Sequence, residues 1–270
     1  MSTAGPAIRV KDLHKEFLLS HSGIASLKSL VLQWKRPSLE HLHVLRGISF
    51  EVAHSECVGI VGRNGAGKST LLSLMARIYK PTSGSVEISG RVAPLLELGA
   101  GFHVDLTGLE NIFVNGMILG ISRKELEKRL DAIVEFSELY NHIDSPVRTY
   151  SSGMNARLGF AIAVHVDADV LLVDEVLAVG DYEFREKCQR KIDDLKAEGR
   201  TIVMVSHSGD DVERLSDRCI WLQNGRIERE GDPKEVLEAY VTESTNELAS
   251  QREEAMTPTN EAECEAGPTS

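Results

Sequence analysis

Apolar residues gather in short runs at 7–13 (AIRVKDL), 48–62 (ISFEVAHSECVGIVG), 84–89 (GSVEIS), 169–175 (DVLLVDE), 201–207 (TIVMVSH) and 218–231 (RCIWLQNGRIEREG). Their length and Val/Ile content predict strands. Helical patterns lie between them. One follows Lys68; a second opens at Ser122, with Glu125 placed for a capping box, and runs to about Tyr140; a third opens near Ser151. Others cover 183–198 and 209–215, and Pro233 opens a last one. Strands alternating with helices predict an α/β chain with a mainly parallel sheet covered on both faces. The early strands, joined by turns, predict an antiparallel side sheet. No internal repeat is visible.

Two stretches depart from this order. Residues 18–43 form an insertion in which Ile24, Leu27, Val31 and Trp34 fall on one helical stripe, Ser22 stands as a cap and Pro37 as a stop. No acidic residue occurs between Leu18 and Leu39, whereas Lys28, Lys35 and Arg36 are basic. Such a helix suits either a membrane surface or membrane partner, with Trp34 at the interface, or ordinary packing on its own domain. At the other end, residues 244–270 carry six Glu against one Arg, with Ser, Thr, Ala and Pro and no apolar period. They are expected to be an acidic disordered tail, which leaves 1–243 as the folded domain.

Composition narrows the function classes. A net charge of −11 argues against a general binder of nucleic acid or anionic membrane. The four cysteines, at 57, 188, 219 and 264, show no metal-ligand spacing, and reduced thiols are the expectation. The first residues lack an apolar signal core, and no run approaches the ~18 apolar residues of a membrane span.

The chemistry begins at Gly62-Arg63-Asn64-Gly65-Ala66-Gly67-Lys68-Ser69-Thr70, between the strand CVGIV and the helix TLLSLMARIY. It fits the phosphate-binding pattern G-x-x-x-x-G-K-[ST]. Glycines let backbone N–H groups wrap the phosphates, Lys68 reaches the β- and γ-phosphates, and the Ser69 hydroxyl ligates Mg²⁺. The run DVLLVDE delivers Asp174 and Glu175 at the C-terminal end of a strand, where open α/β sheets bind ligands. Asp174 suits the Mg²⁺ shell, and Glu175 suits a general base or water-positioner. The strand TIVMVSH ends in His207, placed to contact the γ-phosphate or the attacking water.

Together these residues resemble the nucleotide-binding subunit of ABC transporters, in order and spacing, over 7–243: Walker A at 62–69, Walker B at 170–174, and the switch histidine at 207. Tyr150-Ser151-Ser152-Gly153-Met154 stands where that family carries its Leu-Ser-Gly-Gly-Gln signature. The resemblance implies a P-loop NTPase (RecA-like) core with an antiparallel β side sheet and an α-helical signature subdomain at about 103–165. It also implies that Phe17 stacks on adenine, or else serves as a core phenylalanine, and that Asp181 belongs to the loop touching the opposite subunit. The usual Gln of the loop that approaches Mg²⁺ falls near Glu97 or Leu98. Glu97 is the choice, with a charge and reach that differ from Gln, and Gly99–Leu106 would couple the site to a membrane subunit.

The runs LLELGAGFHVDLTGLENI, YSSGMNARLGFAIA and DEVLAVGD are similar to exporters of bacterial surface polysaccharides. That similarity implies an ATP- and Mg²⁺-dependent ATPase at the cytoplasmic face of the bacterial inner membrane. Two copies would form a head-to-tail dimer with ATP sandwiched between them, joined to a polytopic permease. The cargo would be undecaprenyl-diphosphate-linked O-antigen, or else teichoic acid or capsule. Some members carry a C-terminal carbohydrate-binding β-domain, which is not expected here. A soluble ABC ATPase acting on ribosomes or DNA is the contrasting reading. The single nucleotide domain, the acidic balance and the absence of a basic linker or coiled-coil insert speak against it.

Overall fold

The structure is a computed structural model that describes residues 5–20, 39–96, 98–99, 101–174, 180–206 and 208–256. The helix expected inside the insertion therefore lies outside the described residues, as do Glu97, Glu175 and His207. A six-stranded sheet forms the centre, in the order β5 (Val92–Leu95), β6 (Val170–Asp174), β7 (Thr201–Val205), β3 (Cys57–Val61), β8 (Arg218–Gln223) and β9 (Arg226–Gly231). All pairs are parallel except β8–β9. Strands β3 and β7 are buried at every position, as continuous apolar runs covered on both faces must be.

One face packs on helix α1 (Lys68–Met75) and on a three-stranded antiparallel sheet, ordered β2 (Leu39–Val52), β1 (Ile8–Ser20), β4 (Ser83–Ile88). The other face packs on α4 (Ser152–Val164) and α5 (Tyr182–Ala197). Helices α2 (Gly108–Ile118) and α3 (Arg123–Ser137) gather with α4 around a separate apolar cluster. Short α6 (Gly209–Leu215) precedes β8, and α7 (Pro233–Met256) lays Val236 and Tyr240 against Trp221.

Five differences from the sequence reading have local causes. The apolar run 48–62 is two strands, divided by a turn in which Glu56 Oε2 accepts from the Ala53 N–H at 2.7 Å and Ser55 takes a positive φ. The run 218–231 is a hairpin whose turn residues Asn224 and Gly225 both have positive φ, the demand of the tight turn that matches strand twist. Strand β5 contains Pro94, which an edge strand tolerates. The insertion is narrower than 18–43: Leu18 pairs with His41 and Ser20 with Leu39, so both ends belong to the β1–β2 ribbon. Helix α7 likewise runs to Met256, past the boundary expected at 243. Residues 244–256 are rich in good helix formers, and a helix already started at Asp232 extends through them.

Candidate functional site

The phosphate loop leaves the top of β3 and enters α1. Gly62, Gly65 and Gly67 have φ of 149°, 82° and 103°, a conformation that side chains rarely adopt. Space matters as much as conformation. A Cβ on Gly62 would lie 2.1 Å from the Leu222 carbonyl oxygen, and one on Gly67 would lie 2.6 Å from Leu45. A Cβ on Gly65 would meet nothing within 4 Å, so the open side of the loop lies there. Gly67 starts α1 without any side-chain cap, and the helix N-terminus stays available to an anion.

Lys68 is 6% exposed, and its ammonium donates to the carbonyls of Gly62 at 2.7 Å and Arg63 at 3.1 Å. The positive charge is thereby held within the loop. Ser69 and Arg63-Asn64-Gly65 are exposed, and a cavity of about 290 Å³ opens between Arg63–Ala66 and Gln223–Asn224. The β8–β9 turn buttresses the loop from behind: the Gly225 N–H donates to the Ala66 carbonyl at 3.2 Å, and its own carbonyl accepts from the Arg46 N–H at 2.8 Å. The sequence reading missed this support. Its signal was the Asn-Gly pair between apolar runs.

Register aligns the remaining groups. Asp174 pairs with Val205, and Val205 with Ile60, so three adjacent strands end at one level. The phosphate loop begins after Val61, and half-buried Asp174 closes β6 at the same end of the sheet. A hydroxyl at Ser69 and a carboxylate at Asp174 form an oxygen donor set suited to Mg²⁺. A loop in which Gly62, Gly65 and Gly67 all take positive φ suits a polyphosphate. The residues present fit both.

Ser151 caps α4, accepting from the Met154 N–H at 3.2 Å, and Ser151 and Ser152 are exposed. Gly153 lies inside the helix, and a Cβ there would meet only Ser151 Oγ, at 3.8 Å. The chain's own fold therefore does not require glycine at that position. Tyr150, 8% exposed, anchors the segment by donating to the His142 carbonyl at 2.7 Å. Asp181 caps α5, with Oδ1 accepting from the Phe184 N–H at 3.0 Å, and its Oδ2 accepts from Arg157 at 2.6 Å. Arg157 was not singled out in the sequence. Its second nitrogen donates to Glu138 at 2.8 Å, and its guanidinium lies 4.7 Å from the Phe184 ring centre.

Phe17 is half-buried on β1, opposite Leu42. Its ring meets Tyr79 edge-on at 5.5 Å, and the Lys15 ammonium stands 4.7 Å from its centre. Two registers along β2, Val44 and Leu45 press on Gly67, which connects the side sheet directly to the phosphate loop. Leu98 and Gly99, beside Glu97 in sequence, touch α4: a Cβ on Gly159 would lie 2.5 Å from the Gly99 nitrogen. Among the described residues, no helix is long and apolar enough to cross a membrane.

Residues 45–178 match the family described as ABC transporter. An O-antigen export system ATP-binding protein of Klebsiella pneumoniae is 47% identical over 243 residues, covering 87% of this chain and 97% of the relative. This chain belongs to the ABC transporter family. A Myxococcus xanthus protein of the same description is 48% identical over 93% of this chain, which spans 59% of that longer relative. A teichoic acids export ATP-binding protein of Shouchella clausii is 39% identical over 87% of this chain and 65% of its own length. Among solved structures, the dimeric ATP-binding cassette MJ0796 bound to ADP and Pi superposes with a TM-score of 0.67 at 22% identity, over 84% of this chain and 98% of that one. The fold is that of an ABC ATPase cassette.

Proposed function

We propose that the chain is the ATP-hydrolysing subunit of an ABC transporter that exports lipid-linked polysaccharide, such as undecaprenyl-diphosphate-linked O-antigen, across the bacterial inner membrane. The observation that carries the ATPase half is the glycine-lined loop around Lys68, level with Asp174 at the ends of β3 and β6, the two strands that flank β7. The cargo half rests on the O-antigen exporters at 47% and 48% identity. Teichoic acid is the second reading, supported by relatives at 39% and 44% identity.

In this reading the loop Gly62–Thr70 wraps the phosphates of ATP and Lys68 offsets their charge. Ser69, Asp174 and Glu97 would hold Mg²⁺, which would supply charge neutralisation to the phosphates. Glu175 accepts the proton of the attacking water and His207 holds the γ-phosphate geometry. Phe17 supports adenine. A second copy, arranged head to tail, presents Ser151, Ser152, Gly153 and Asp181 to the same nucleotide. Positioning and electrostatics supply the rate, as in phosphoryl transfer generally. Closure on ATP and opening after hydrolysis act on a polytopic permease at the cytoplasmic face; nucleic acid has no part in it.

Deleting the gene and analysing surface and cytosolic glycans tests the proposal. Lipid-linked polymer accumulating inside, with none outside, is the expected result. A normal surface polysaccharide in the deletion strain would sink the export reading, and loss of an anionic wall polymer instead would move it to teichoic acid.

A further inference from the structure

The signature segment and the Asp181 turn sit on different helices, α4 and α5, yet one side chain joins them. Arg157 stands on α4 one and a half turns beyond the Ser151 cap and sends its two terminal nitrogens to different carboxylates: Asp181 Oδ2 at 2.6 Å and Glu138 Oε2 at 2.8 Å. Glu138 closes α3 in the left-handed conformation, and its other oxygen accepts from Lys187 of α5 at 2.9 Å. Lys187 in turn donates to the Phe136 carbonyl at 2.9 Å, at the end of α3. A chain of alternating charges, Asp181–Arg157–Glu138–Lys187, thus runs from α5 through α4 and α3 and back to α5.

The arrangement is built rather than incidental. The Arg157 side chain is only 18% exposed and rests on the Phe184 ring. Phe184 is itself 1% exposed within a group of Phe136, Phe160 and Phe184 rings. Its carboxylate partners are open to solvent, Asp181 at 65% and Glu138 at 47% exposure, so the pairs are directed by the half-buried guanidinium and its planar fork rather than by exclusion of water. Asp181 spends one oxygen on the α5 cap and the other on Arg157, so its carboxylate has a set orientation.

We infer that Arg157 is the positioning residue of the half-site that each copy presents to the other's nucleotide: it locks Ser151–Gly153 and Asp181 in one register, so that both arrive at the partner's ATP together. The inference rests on the head-to-tail dimer reading. Arg157 acts through Ser151–Gly153 and Asp181 rather than on the nucleotide itself. It determines how well a loaded copy closes on its partner, and leaves the loading of the copy's own phosphate loop unchanged.

The test separates those two steps. In the full-length chain carrying Glu175→Gln, ATP binding to the monomer and ATP-driven dimerisation are measured by titration and sedimentation, with and without Arg157→Met. The expected result is an ATP dissociation constant within about twofold and a dimer dissociation constant raised at least tenfold. Arg157→Lys keeps the charge but loses the fork, so it should give an intermediate loss. If Arg157→Met does not fold, judged by loss of ATP binding, the lysine variant decides, with a change below about threefold counting against the inference. Equal dimerisation with and without Arg157 overturns it. Failure of the Glu175→Gln chain to dimerise at all, with Arg157 intact, would instead overturn the dimer reading on which it rests.

Discussion

Glycine at single positions separates what the fold needs from what a ligand needs. Gly62 has φ of 149° and no room, since a Cβ would lie 2.1 Å from the Leu222 carbonyl oxygen. Gly62→Ala therefore strains the backbone and drives β8 away, and should cost at least about 2 kcal/mol in urea unfolding. Gly153 is the reverse case, with ordinary helical backbone and open space. Gly153→Ala should leave the melting temperature unchanged or slightly raised, because Ala is better than Gly in a helix by up to about 1 kcal/mol. Yet ATPase activity should fall at least tenfold, since in the proposed dimer the added methyl would face the partner's nucleotide. Full activity in that variant would remove Gly153 from the shared site.

His165 makes a second argument at this scale. Burial lowers its pKa from the ordinary value, and Lys191 and Arg129 add to this against the raising effect of its 2.6 Å contact with the Ala161 carbonyl. A histidine with a depressed folded pKa stabilises fully above the unfolded value near 6.5, and that contribution is lost as pH falls below it. The urea midpoint should therefore drop between about pH 7.5 and about pH 5.5. The drop should be smaller in His165→Gln. An equal drop in both chains would show that other groups carry the acid sensitivity.

At the scale of elements, α4 is the piece on which the others converge. Its N-terminus carries the signature serines, Arg157 ties it to α5, and Gly159 lets the backbone of Leu98 and Gly99 press against it. A Cβ at Gly159 would lie 2.5 Å from the Gly99 nitrogen and 3.1 Å from the Leu98 carbonyl carbon, both backbone atoms that cannot rotate away. Gly159→Ala should therefore displace the loop after β5 and cost about 1–3 kcal/mol, the range for overpacking. Urea unfolding measures the cost, and glycan export in cells carrying the variant measures whether loop and helix must stay in contact. Unchanged stability would mean that the loop yields freely.

The sequence pattern exposed most of these elements but not their contacts. The capping box at Ser122 and Glu125 was readable because both partners lie within one turn, and it forms with the Ser122 N–H donating to Glu125 at 3.0 Å. Helix α2 has the same device at Thr107 and Glu110, but the glycines of GLENIFVNGMILG and its lack of a polar face hid the period. The places of Lys68 and Ser69 at the start of α1 and of Asp174 at the end of β6 were legible because phosphate chemistry dictates residue type and spacing locally. Arg157 and Gly225 were not, because their partners are 24 residues away at Asp181 and on a separate strand at Arg46. Tertiary geometry alone joins those pairs.

At the scale of the whole molecule, the three buried thiols among the described residues, Cys57, Cys188 and Cys219, report on whether the chain opens as one unit. Cys57 on β3 and Cys188 on α5 belong to the apolar layer between the sheet and its helices, while Cys219 on β8 packs under α7 with Trp221 and Val236. Burial pushes each thiol up to about 12, outweighing for Cys57 the opposing pull of Lys196 and for Cys188 that of Lys187 and Arg157. At about pH 8 the folded chain then holds a thiolate fraction on the order of 10⁻⁴ at each site, against roughly a tenth or more for an unfolded cysteine. A thiol-reactive probe with mass-spectrometric readout should find all three silent in the native state and reacting together at the rate of global unfolding. The pH dependence has a definite sign: a raised thiol pKa stabilises fully below the unfolded value near 9, and the contribution is lost as pH rises from there toward 12. Labelling should therefore accelerate in alkali beyond the ordinary gain in thiolate, as the fold itself weakens. If Cys219 reacts well before Cys57 and Cys188, α7 lifts from β8 as a separate unit. Helix α7 would then be a detachable layer over a core that stays closed.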